Sequence, residues 1–381
     1  MKSQIPCNET KKISIILSDL HLSAGEYIHK RSNQLECFFY DKELCELLDY
    51  YSSLYAKESN NTHLELVING DFLDFLAVPY VEFFDDEYWS NQASLEKLKL
   101  ILNAHHEVFS GIRSFLSHEN RSFIYVLGNH DAEMIFESCK EYLLNYISPE
   151  VKIKEKIKII IEMDYSPMKG VILKHGHDYE NPHNYSIKEN LIGPYLGQYY
   201  FLPPWGSFYV SRIVNKYKVE RRYVDAVRPV KKFLLHGILF DTFFTIRFLL
   251  ANIYFFVRIV LFDYISIYGL YAWKNLLKAL LDELDLFKDE ESLIKDFFTN
   301  NPDIHTLIVG HTHRPFNKKY PDGTTFMNTG TWTQMYYLNF ERSNAGHLLT
   351  YALLSSVDPT KNNIYYWKGL NNGPEVRFFS F

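Results

Sequence analysis

The sequence predicts an α/β fold with a parallel or mixed sheet and a helical insertion, and two observations lead to this prediction. Short apolar runs alternate with longer segments of helical periodicity, as expected of strands joined by crossover helices. The chain has 381 residues, of which 47% are hydrophobic, so it can bury a core for one large domain or two ordinary ones.

Six apolar runs are predicted to be strands. In chain order they are 13–17, 64–68, 122–127, 171–174, 305–310 and 324–328. Helical patterns lie between the early strands, at 36–57 and 92–117. From about 180 to 300 this alternation stops, which indicates that a separate element is inserted there.

Polar side chains follow five of these strands. The motifs are SDLH with Asp19 and His21, NGDFLD with Asp71 and Asp74, GNHD with Asn129, His130 and Asp131, HGHD with His175 and His177, and GHTH with His311 and His313. Because the carboxyl ends of strands in open α/β sheets converge on one crevice, we expect these side chains to meet. Alternate residues of an extended segment point the same way, so Asp-x-His and His-x-His can each present both side chains to one site.

This set of carboxylates, imidazoles and an amide indicates a site for two adjacent divalent metal ions. Imidazole suits zinc, iron and manganese, whereas carboxylate oxygen suits manganese and can bridge two ions. Glycines precede Asp71, Asn129 and His311, where they permit sharp turns and close backbone approach. Each motif alone could be a turn or a cap, but their occurrence together, each after an apolar run, favours a metal centre.

Composition argues against some classes of function and indicates a cellular location. The net charge of -6 argues against a general nucleic-acid binder. The four cysteines show no CxxC spacing and the first residues show no secretory signal, so we expect a cytoplasmic protein. The histidines outside the motifs are expected to be structural, with His183 a better candidate than the others because it follows HGHD closely.

The ordered motifs DLH, GDFLD, GNHD, KHGH and GHTH resemble those of the calcineurin-like metallophosphoesterases, from residue 13 to about 335. The resemblance implies a four-layer α/β/β/α sandwich, two divalent metal ions (Mn²⁺ first, Fe or Zn as alternatives) and hydrolysis of phosphate ester or pyrophosphate bonds. It implies one metal on Asp19, His21 and His313, a second on Asn129, His175 and His311, and Asp71 bridging the two. It favours His175 over His177 as the ligand.

The same resemblance gives roles to His130 and Asp74. Two metal ions lower the pKa of a shared water, but they leave the departing oxygen without a proton donor. His130 would protonate that oxygen, and Asp74 would hold its imidazole in the correct tautomer. Asp131 is expected to support the turn.

Residues 181–299 are predicted to form an aromatic-rich helical insertion or cap, with 1–180 and 300–381 forming the catalytic domain. Within it, 193–206 predicts an ordered loop near the active site, and 212–232 is strongly basic. The apolar stretch 233–273 predicts a long helical element, in one helix or two. It contains too many charged residues for a simple membrane span.

The apolar face of this element has two interpretations. It could pack on the core or form a homo-oligomer interface. Alternatively, it could form a hydrophobic groove for an acyl chain, or residues 212–273 could form a peripheral membrane surface on the inner face of the membrane. The layout is similar to the UDP-2,3-diacylglucosamine pyrophosphatase branch, although that branch usually has Arg and Glu at the positions of His130 and Asp74. We therefore expect a phosphorylated, amphiphilic or lipid-linked substrate. A soluble nucleotide or phosphoprotein substrate, or an inactive metal-binding scaffold, are the alternatives.

Overall fold

The structure is a computed structural model and is a mixed α/β chain. It describes residues 11–28, 30–56, 62–78, 89–162, 164–179, 183–186, 190–195, 197–258, 290–338 and 348–376. Within these residues, most strands belong to two large sheets of seven and five strands.

The strands are numbered here along the chain. They are β1 Lys11–Leu17, β2 Tyr27–Ile28, β3 Arg31–Ser32, β4 Thr62–Asn69, β5 Trp89–Ser90, β6 Arg121–Val126, β7 Ile157–Ile160, β8 Asp164–Tyr165, β9 Val171–Lys174, β10 Leu191–Tyr195, β11 Gln198–Phe201, β12 Val227–Arg228, β13 Thr306–Val309, β14 Phe316–Lys319, β15 Thr325–Asn328, β16 Tyr336–Tyr337, β17 Leu349–Ser355, β18 Asn363–Trp367 and β19 Pro374–Val376.

The helices are numbered in the same way. They are α1 Asp41–Leu54, α2 Asn91–Ala104, α3 His106–Ser117, α4 Glu137–Ile147, α5 Val151–Lys154, α6 Trp205–Tyr209, α7 Asn215–Lys218, α8 Val230–Phe240, α9 Thr242–Arg258 and α10 Glu290–Asn300. A π-helical turn, Val210–Val214, joins α6 to α7.

The two large sheets bring the predicted motifs to the ends of parallel strands. The seven-stranded sheet has the order β19-β18-β17-β1-β4-β6-β7, in which β1, β4, β6 and β7 are parallel. The five-stranded sheet has the order β14-β15-β13-β9-β8, in which β9, β13 and β15 are parallel. Parallel neighbours end at the same edge of a sheet, so residues that follow β1, β4 and β6 lie side by side.

Successive side chains of a strand point to opposite faces of the sheet, so they belong to different apolar clusters. Ile15 and the other residues on its face of the sheet pack against helices α1 to α4. Ile16, on the opposite face, lies in a cluster shared with Leu173 and Ile308 of the other sheet. A further cluster joins Ile294 of α10 to Leu307 of β13. These three clusters agree with the four-layer arrangement, which remains a prediction.

All six predicted strands are present, but two of the other predicted elements differ from the structure. The helical pattern 92–117 is two helices, α2 and α3, because His105 leaves the helical conformation at φ -110° and ψ 36°. Its ring lies between Asp41 and Glu36, at 2.9 and 3.3 Å, which holds the break in place. The predicted loop 193–206 contains most of a hairpin of β10 and β11 that pairs with β5.

The long apolar element predicted at 233–273 is two helices where it is described. Helix α8 ends at Phe240 because the next residue, Asp241, has a φ of -141°, which is not helical, and α9 runs from Thr242 to Arg258. The remaining part, 259–273, lies outside the described residues. In the part of the chain that the structure covers, no helix combines the length and hydropathy needed to cross a membrane.

Candidate metal centre

The predicted site residues come together at the ends of five strands from both large sheets. The seven-stranded sheet supplies Asp19 and His21 after β1, Asp71 and Asp74 after β4, and Asn129 and His130 after β6; the five-stranded sheet supplies His175 after β9, and His311 and His313 after β13. The site therefore depends on how the two sheets pack.

Asp19, His21 and His313 form one group of potential ligands. One ligand atom from each lies within 4.8 Å of the others. The Nε2 atom of His313 lies 3.3 Å from Oδ1 of Asp19 and 3.0 Å from Nε2 of His21. These are the residues that the family resemblance implies for one metal ion.

Asp71, His175 and His311 form a second group, again with ligand atoms within 4.8 Å of one another. The Nε2 atom of His175 lies 3.2 Å from Oδ2 of Asp71 and 3.2 Å from Oδ1 of Asn129. The amide oxygen of Asn129 is thus positioned beside the second group, where the resemblance implies it.

Asp71 lies between the two groups. Its Oδ2 atom is 3.2 Å from Nε2 of His175 and 3.7 Å from Nε2 of His21. Its other oxygen accepts a hydrogen bond of 2.9 Å from the backbone N–H of His130. This carboxylate can therefore reach an ion in either group, as a bridging ligand must.

Asp74 contacts two imidazoles. Its Oδ1 atom lies 2.9 Å from Nδ1 of His130, and its Oδ2 atom lies 3.3 Å from Nδ1 of His21. A carboxylate that accepts from Nδ1 fixes the tautomer in which the proton is on that nitrogen. One carboxylate thus orients both a potential ligand, His21, and the proposed proton donor, His130.

The ring of His175 is oriented by the backbone. Its Nδ1 atom lies 3.0 Å from the carbonyl oxygen of Asn69. Since a carbonyl can only accept, Nδ1 carries the proton in the neutral ring and Nε2 presents its lone pair to the site. This is the tautomer that a metal ligand needs.

Backbone conformation also marks the site. Of the seven non-glycine residues with positive φ in the described part of the chain, five are predicted ligands: Asp19, His21, Asp71, His311 and His313, with φ between 51° and 65°. Left-handed backbone is uncommon for such residues and clusters at functional sites.

The glycine of the GNHD motif, Gly128, is required by the close packing around it. A Cβ atom at this position would overlap the carboxylate of Asp71 and its backbone nitrogen. Only glycine therefore lets the turn after β6 approach the turn after β4 closely enough to bring Asn129 and His130 beside Asp71.

The electrostatics of the buried groups favour a bound cation. Burial opposes ionisation of Asp71, but the imidazoles of His175 and His130 hold the pKa of its carboxyl well below the usual value. Burial also opposes protonation of His175, but the carboxylates of Asp71 and Asp19 raise its pKa to about 10. Metal ions compete with protons for such ligands, so a cation can replace the proton on His175.

Asp131 supports the turn, as predicted. Its Oδ1 atom accepts from the backbone N–H of Gly128 at 2.6 Å. Its Oδ2 atom accepts from the hydroxyl of Tyr125 at 2.7 Å and from the backbone N–H of Phe72 at 2.9 Å. The carboxylate therefore connects the turns that carry Asn129 and Asp71.

Three further residues lie beside the second group. His177 is buried but belongs neither to the two groups above nor to the third cluster of potential ligands among the described residues, which is His21, Asp71 and His130. Its ring stacks on that of Tyr185 at 5.3 Å. The ring of His183 lies 5.3 Å from that of His311. Tyr185, whose hydroxyl donates to the carbonyl of Gly128 at 3.0 Å, has no sequence signal, because it belongs to no motif and contacts the site only through the tertiary structure.

Three observations indicate that these residues are suited to bind divalent metal ions. The donors are carboxylates, imidazoles and an amide, which together suit manganese, iron or zinc. The candidate ligands Asp19, Asp71, Asn129 and His175 are at most 2% exposed. Bonds to Asn69 and Asp74 leave the Nε2 atoms of His175 and His21 available.

Comparisons with known proteins add little to this description. No family model and no curated protein matches the chain. Among solved structures, zinc-bound Vps29 from Entamoeba histolytica is 23% identical over 24% of this chain and 46% of its own, with a TM-score of 0.17. This chain thus aligns with about half the length of that protein.

Two other solved structures align over most of this chain. A single-site variant of Vps29 from Entamoeba histolytica is 10% identical over 97% of this chain and 99% of its own, with a TM-score of 0.28. A protein described as a 5'-nucleotidase from Staphylococcus aureus, in complex with alpha-ketoglutarate, is 10% identical over 97% of this chain and 55% of its own, with a TM-score of 0.32. TM-scores this low establish neither fold nor function.

Proposed function

We propose that this protein is a binuclear metal-dependent phosphoesterase of the calcineurin-like type, built as a four-layer α/β/β/α sandwich with a helical insertion at 181–299. The observation that carries the proposal is the position of Asp71, whose Oδ2 atom lies within 3.7 Å of nitrogen atoms from both ligand groups. Beside it, the pair of His130 and Asp74 supplies an acid where the leaving group would need one.

When bound, two divalent ions lower the pKa of a shared water and offset negative charge on the phosphoryl oxygens. Asp19, His21 and His313 would hold one ion, Asn129, His175 and His311 the other, and Asp71 would bridge them. Mn²⁺ is our first choice, with Fe or Zn as alternatives.

The remaining chemistry belongs to His130. Burial lowers its affinity for protons, but the carboxylates of Asp74 and Asp71 raise its pKa to about 9, which favours the protonated ring. Its Nδ1 proton is engaged by Asp74 at 2.9 Å. Nε2 can therefore donate a proton to the departing oxygen and stabilise the charge that develops there.

The test combines metal content with turnover. We expect the protein loaded with Mn²⁺ to carry two ions per chain by elemental mass spectrometry and to hydrolyse bis-(p-nitrophenyl) phosphate or p-nitrophenyl phosphate. Asp71→Asn should lose at least about a thousandfold in kcat/KM and at least one ion, because it removes the bridging charge. Asp322→Asn, in an exposed turn, is the matched control.

Retained turnover in Asp71→Asn would contradict the mechanism. Two ions per chain without hydrolysis of any ester would favour the inactive scaffold. In either case the control variant should have the same metal content and unfolding temperature as the wild type.

For the substrate we infer an amphiphilic or lipid-linked phosphate ester, on the basis of the apolar insertion. None of the comparisons supports the narrower UDP-2,3-diacylglucosamine branch, so the proposal stops at this class. Phosphorus NMR of a polar-lipid extract incubated with manganese-loaded protein, with Asp71→Asn as the blank, tests it. A phosphate resonance lost only with the intact enzyme supports a lipid-linked substrate, whereas no change favours soluble nucleotides or phosphoproteins.

A further inference from the structure

The described part of the insertion forms a small structural unit, here called the helical cap and defined as residues 205–258. It has its own apolar cluster, in which Phe244 and Phe255 of α9 pack against Ile213 and Tyr217. One face of α9 is therefore used to hold the cap together.

The opposite face of α9 is also apolar, yet it is exposed. Phe243, Ile246, Leu250, Ile253 and Val257 recur at helical spacing and are all exposed. Phe244 and Phe255 already hold the cap together, so the cohesion of the cap does not account for a second apolar face that is exposed.

The exposure is greatest where α8 meets α9. Leu239 is 71% exposed, Phe240 85% and Phe243 78%. These three residues are here called the apolar tip. Asp241 lies among them, but its carboxylate is paired with the guanidinium of Arg221 at 2.8 Å, which reduces the cost of moving it into a less polar environment.

The charge of the cap is strongly positive. Residues 205–258 contain ten Lys and Arg against three Asp and Glu, in a chain whose net charge is -6. Each of the three carboxylates has a basic partner: Glu220 pairs with Arg247, Asp225 with Lys218, and Asp241 with Arg221. Lys231 and Lys232 are exposed at the start of α8, and Arg258 is exposed at the end of α9.

The cap contacts the rest of the structure on two sides, one of them close to the candidate metal centre. The side-chain amide of Asn215 donates to the carbonyl of Leu76, two residues after Asp74, at 2.7 Å. On another side, the ammonium of Lys218 lies 2.8 Å from Sγ of Cys37, and Arg222 donates to the carbonyl of Glu36 at 2.7 Å. A surface that binds through the cap therefore has a defined position relative to the site.

We propose that the helical cap docks on an anionic lipid bilayer, with the apolar tip and the exposed face of α9 inserted at the level of the headgroups. Exposed apolar side chains flanked by exposed lysine and arginine are the combination that binds such a surface. Helix α9 carries Arg247 and Arg258 within its 17 residues, so helices α8 and α9 would lie along the interface, with these arginines at the level of the headgroups.

The charge distribution favours lipid over a second copy of this chain. A symmetric dimer through this face would bring two strongly basic caps together, with like charges opposed. An anionic bilayer instead gains from each lysine and arginine near its surface. Docking does not depend on the proposed phosphoesterase activity, because vesicle binding is measured without turnover.

The experiment is co-sedimentation of the full chain with vesicles of phosphatidylcholine alone or mixed with phosphatidylglycerol. We expect binding to the mixed vesicles, weakened by salt, and little binding to phosphatidylcholine alone. Leu239→Glu/Phe240→Glu/Phe243→Glu should weaken binding roughly a hundredfold or more, because three inserted side chains become charged. Lys231→Glu/Lys232→Glu should weaken it at least roughly thirtyfold at low salt.

The matched control is Leu54→Glu/Val151→Glu/Val357→Glu. It introduces the same charges at apolar residues that are 53%, 68% and 55% exposed outside the cap. It should bind vesicles like the wild type, and all variants should keep the unfolding temperature and hydrolysis of a soluble ester.

Three outcomes would overturn the proposal. They are no binding of the wild type to phosphatidylglycerol vesicles, equal binding by the apolar-tip variant, or a dimer by light scattering that this variant dissociates while vesicles are not bound. The last outcome would assign the face to a second copy of the chain.

Discussion

The candidate metal centre buries ionisable side chains, whereas the helical cap exposes apolar ones. In the metal centre, ionisable residues such as Asp19, Asp71 and His175 are almost fully buried among strands. In the cap, Phe240 and Phe243 are largely exposed although they are among the most apolar residues. Buried charge and exposed apolar surface are both unfavourable for folding alone, and both are typical of sites that bind an ion or another surface.

The two regions differ in how this cost is reduced. The buried carboxylates accept hydrogen bonds from backbone N–H groups and imidazoles, as Asp71 does from His130 and as Asp131 does from Gly128 and Phe72. Within the described residues, the exposed aromatic residues of the cap have only ring contacts at the surface: the guanidinium of Arg247 lies 5.5 Å from the ring of Phe243, and the ring of His236 lies 6.3 Å from that of Phe240. The candidate metal centre is therefore held in place by its own hydrogen bonds, whereas the proposed docking would stabilise the exposed face of the cap.

The largest expected effect separates catalysis from metal binding. His130→Ala should lower kcat about a thousandfold, because the leaving oxygen would depart without a proton donor. The loss should be smaller for a p-nitrophenolate leaving group than for an alkoxide, and both metal ions should remain. Kinetics with the two ester types and elemental analysis measure this. His63→Ala, a half-buried histidine bonded to Ser122, should be unaffected in both.

The second prediction compares how much the buried carboxylate of Asp131 and the half-exposed carboxylate of Asp241 contribute to the free energy of unfolding. Asp131→Ala should lower the free energy of unfolding by about 4 kcal/mol, because Gly128, Phe72 and Tyr125 lose their acceptor in a buried site. Asp241→Asn breaks the half-exposed pair with Arg221 in the cap and should cost less than about 1 kcal/mol. Urea unfolding measures both, and similar losses would mean that burial does not distinguish the two networks.

The third prediction compares neighbours on α9. Phe244 is 4% exposed and Phe243 is 78% exposed. Phe244→Ala should destabilise the protein by about 3 kcal/mol through the cavity it leaves, whereas Phe243→Ala should stay within about 0.5 kcal/mol. Thermal and urea unfolding decide this. Equal effects would show that Phe243 is buried in solution, against a docking face.

The smallest effect concerns a buried charge outside both regions. Burial opposes protonation of His105, but bonds to Asp41 and Glu36 raise its pKa to about 9. Because the folded-state pKa lies above the unfolded value of 6.5, this stabilisation is complete below pH 6.5 and is lost as pH rises through 9. We expect a loss of roughly 2 to 3 kcal/mol over this range, seen in urea unfolding at several pH values.

His105→Gln should remove this slope, since the amide does not titrate. The remaining pH dependence of the variant gives the contribution of all other groups. A slope that persists unchanged would assign the titration to a residue other than His105.

The core strands and candidate ligands could be predicted from sequence because their signals are local. An apolar run such as 64–68 identifies a strand, and the Asn-Gly-Asp that follows it in NGDFLD identifies the strand end. The contacts of Tyr185 with Gly128, and of Asp74 with two imidazoles at once, have no such signal. They depend on the approach of segments that are far apart in sequence.

By itself, the sequence determined which residue types stand at the strand ends of this protein, because apolar periodicity and short motifs are properties of the local chain. The tertiary structure alone decided that the helical pattern 92–117 breaks at His105, where the ring meets Glu36 and Asp41. It also decided that Phe244 is buried while Phe243 is exposed. Adjacent residues of equal hydropathy differ in environment only through what packs against the helix, and that packing is a property of the whole fold.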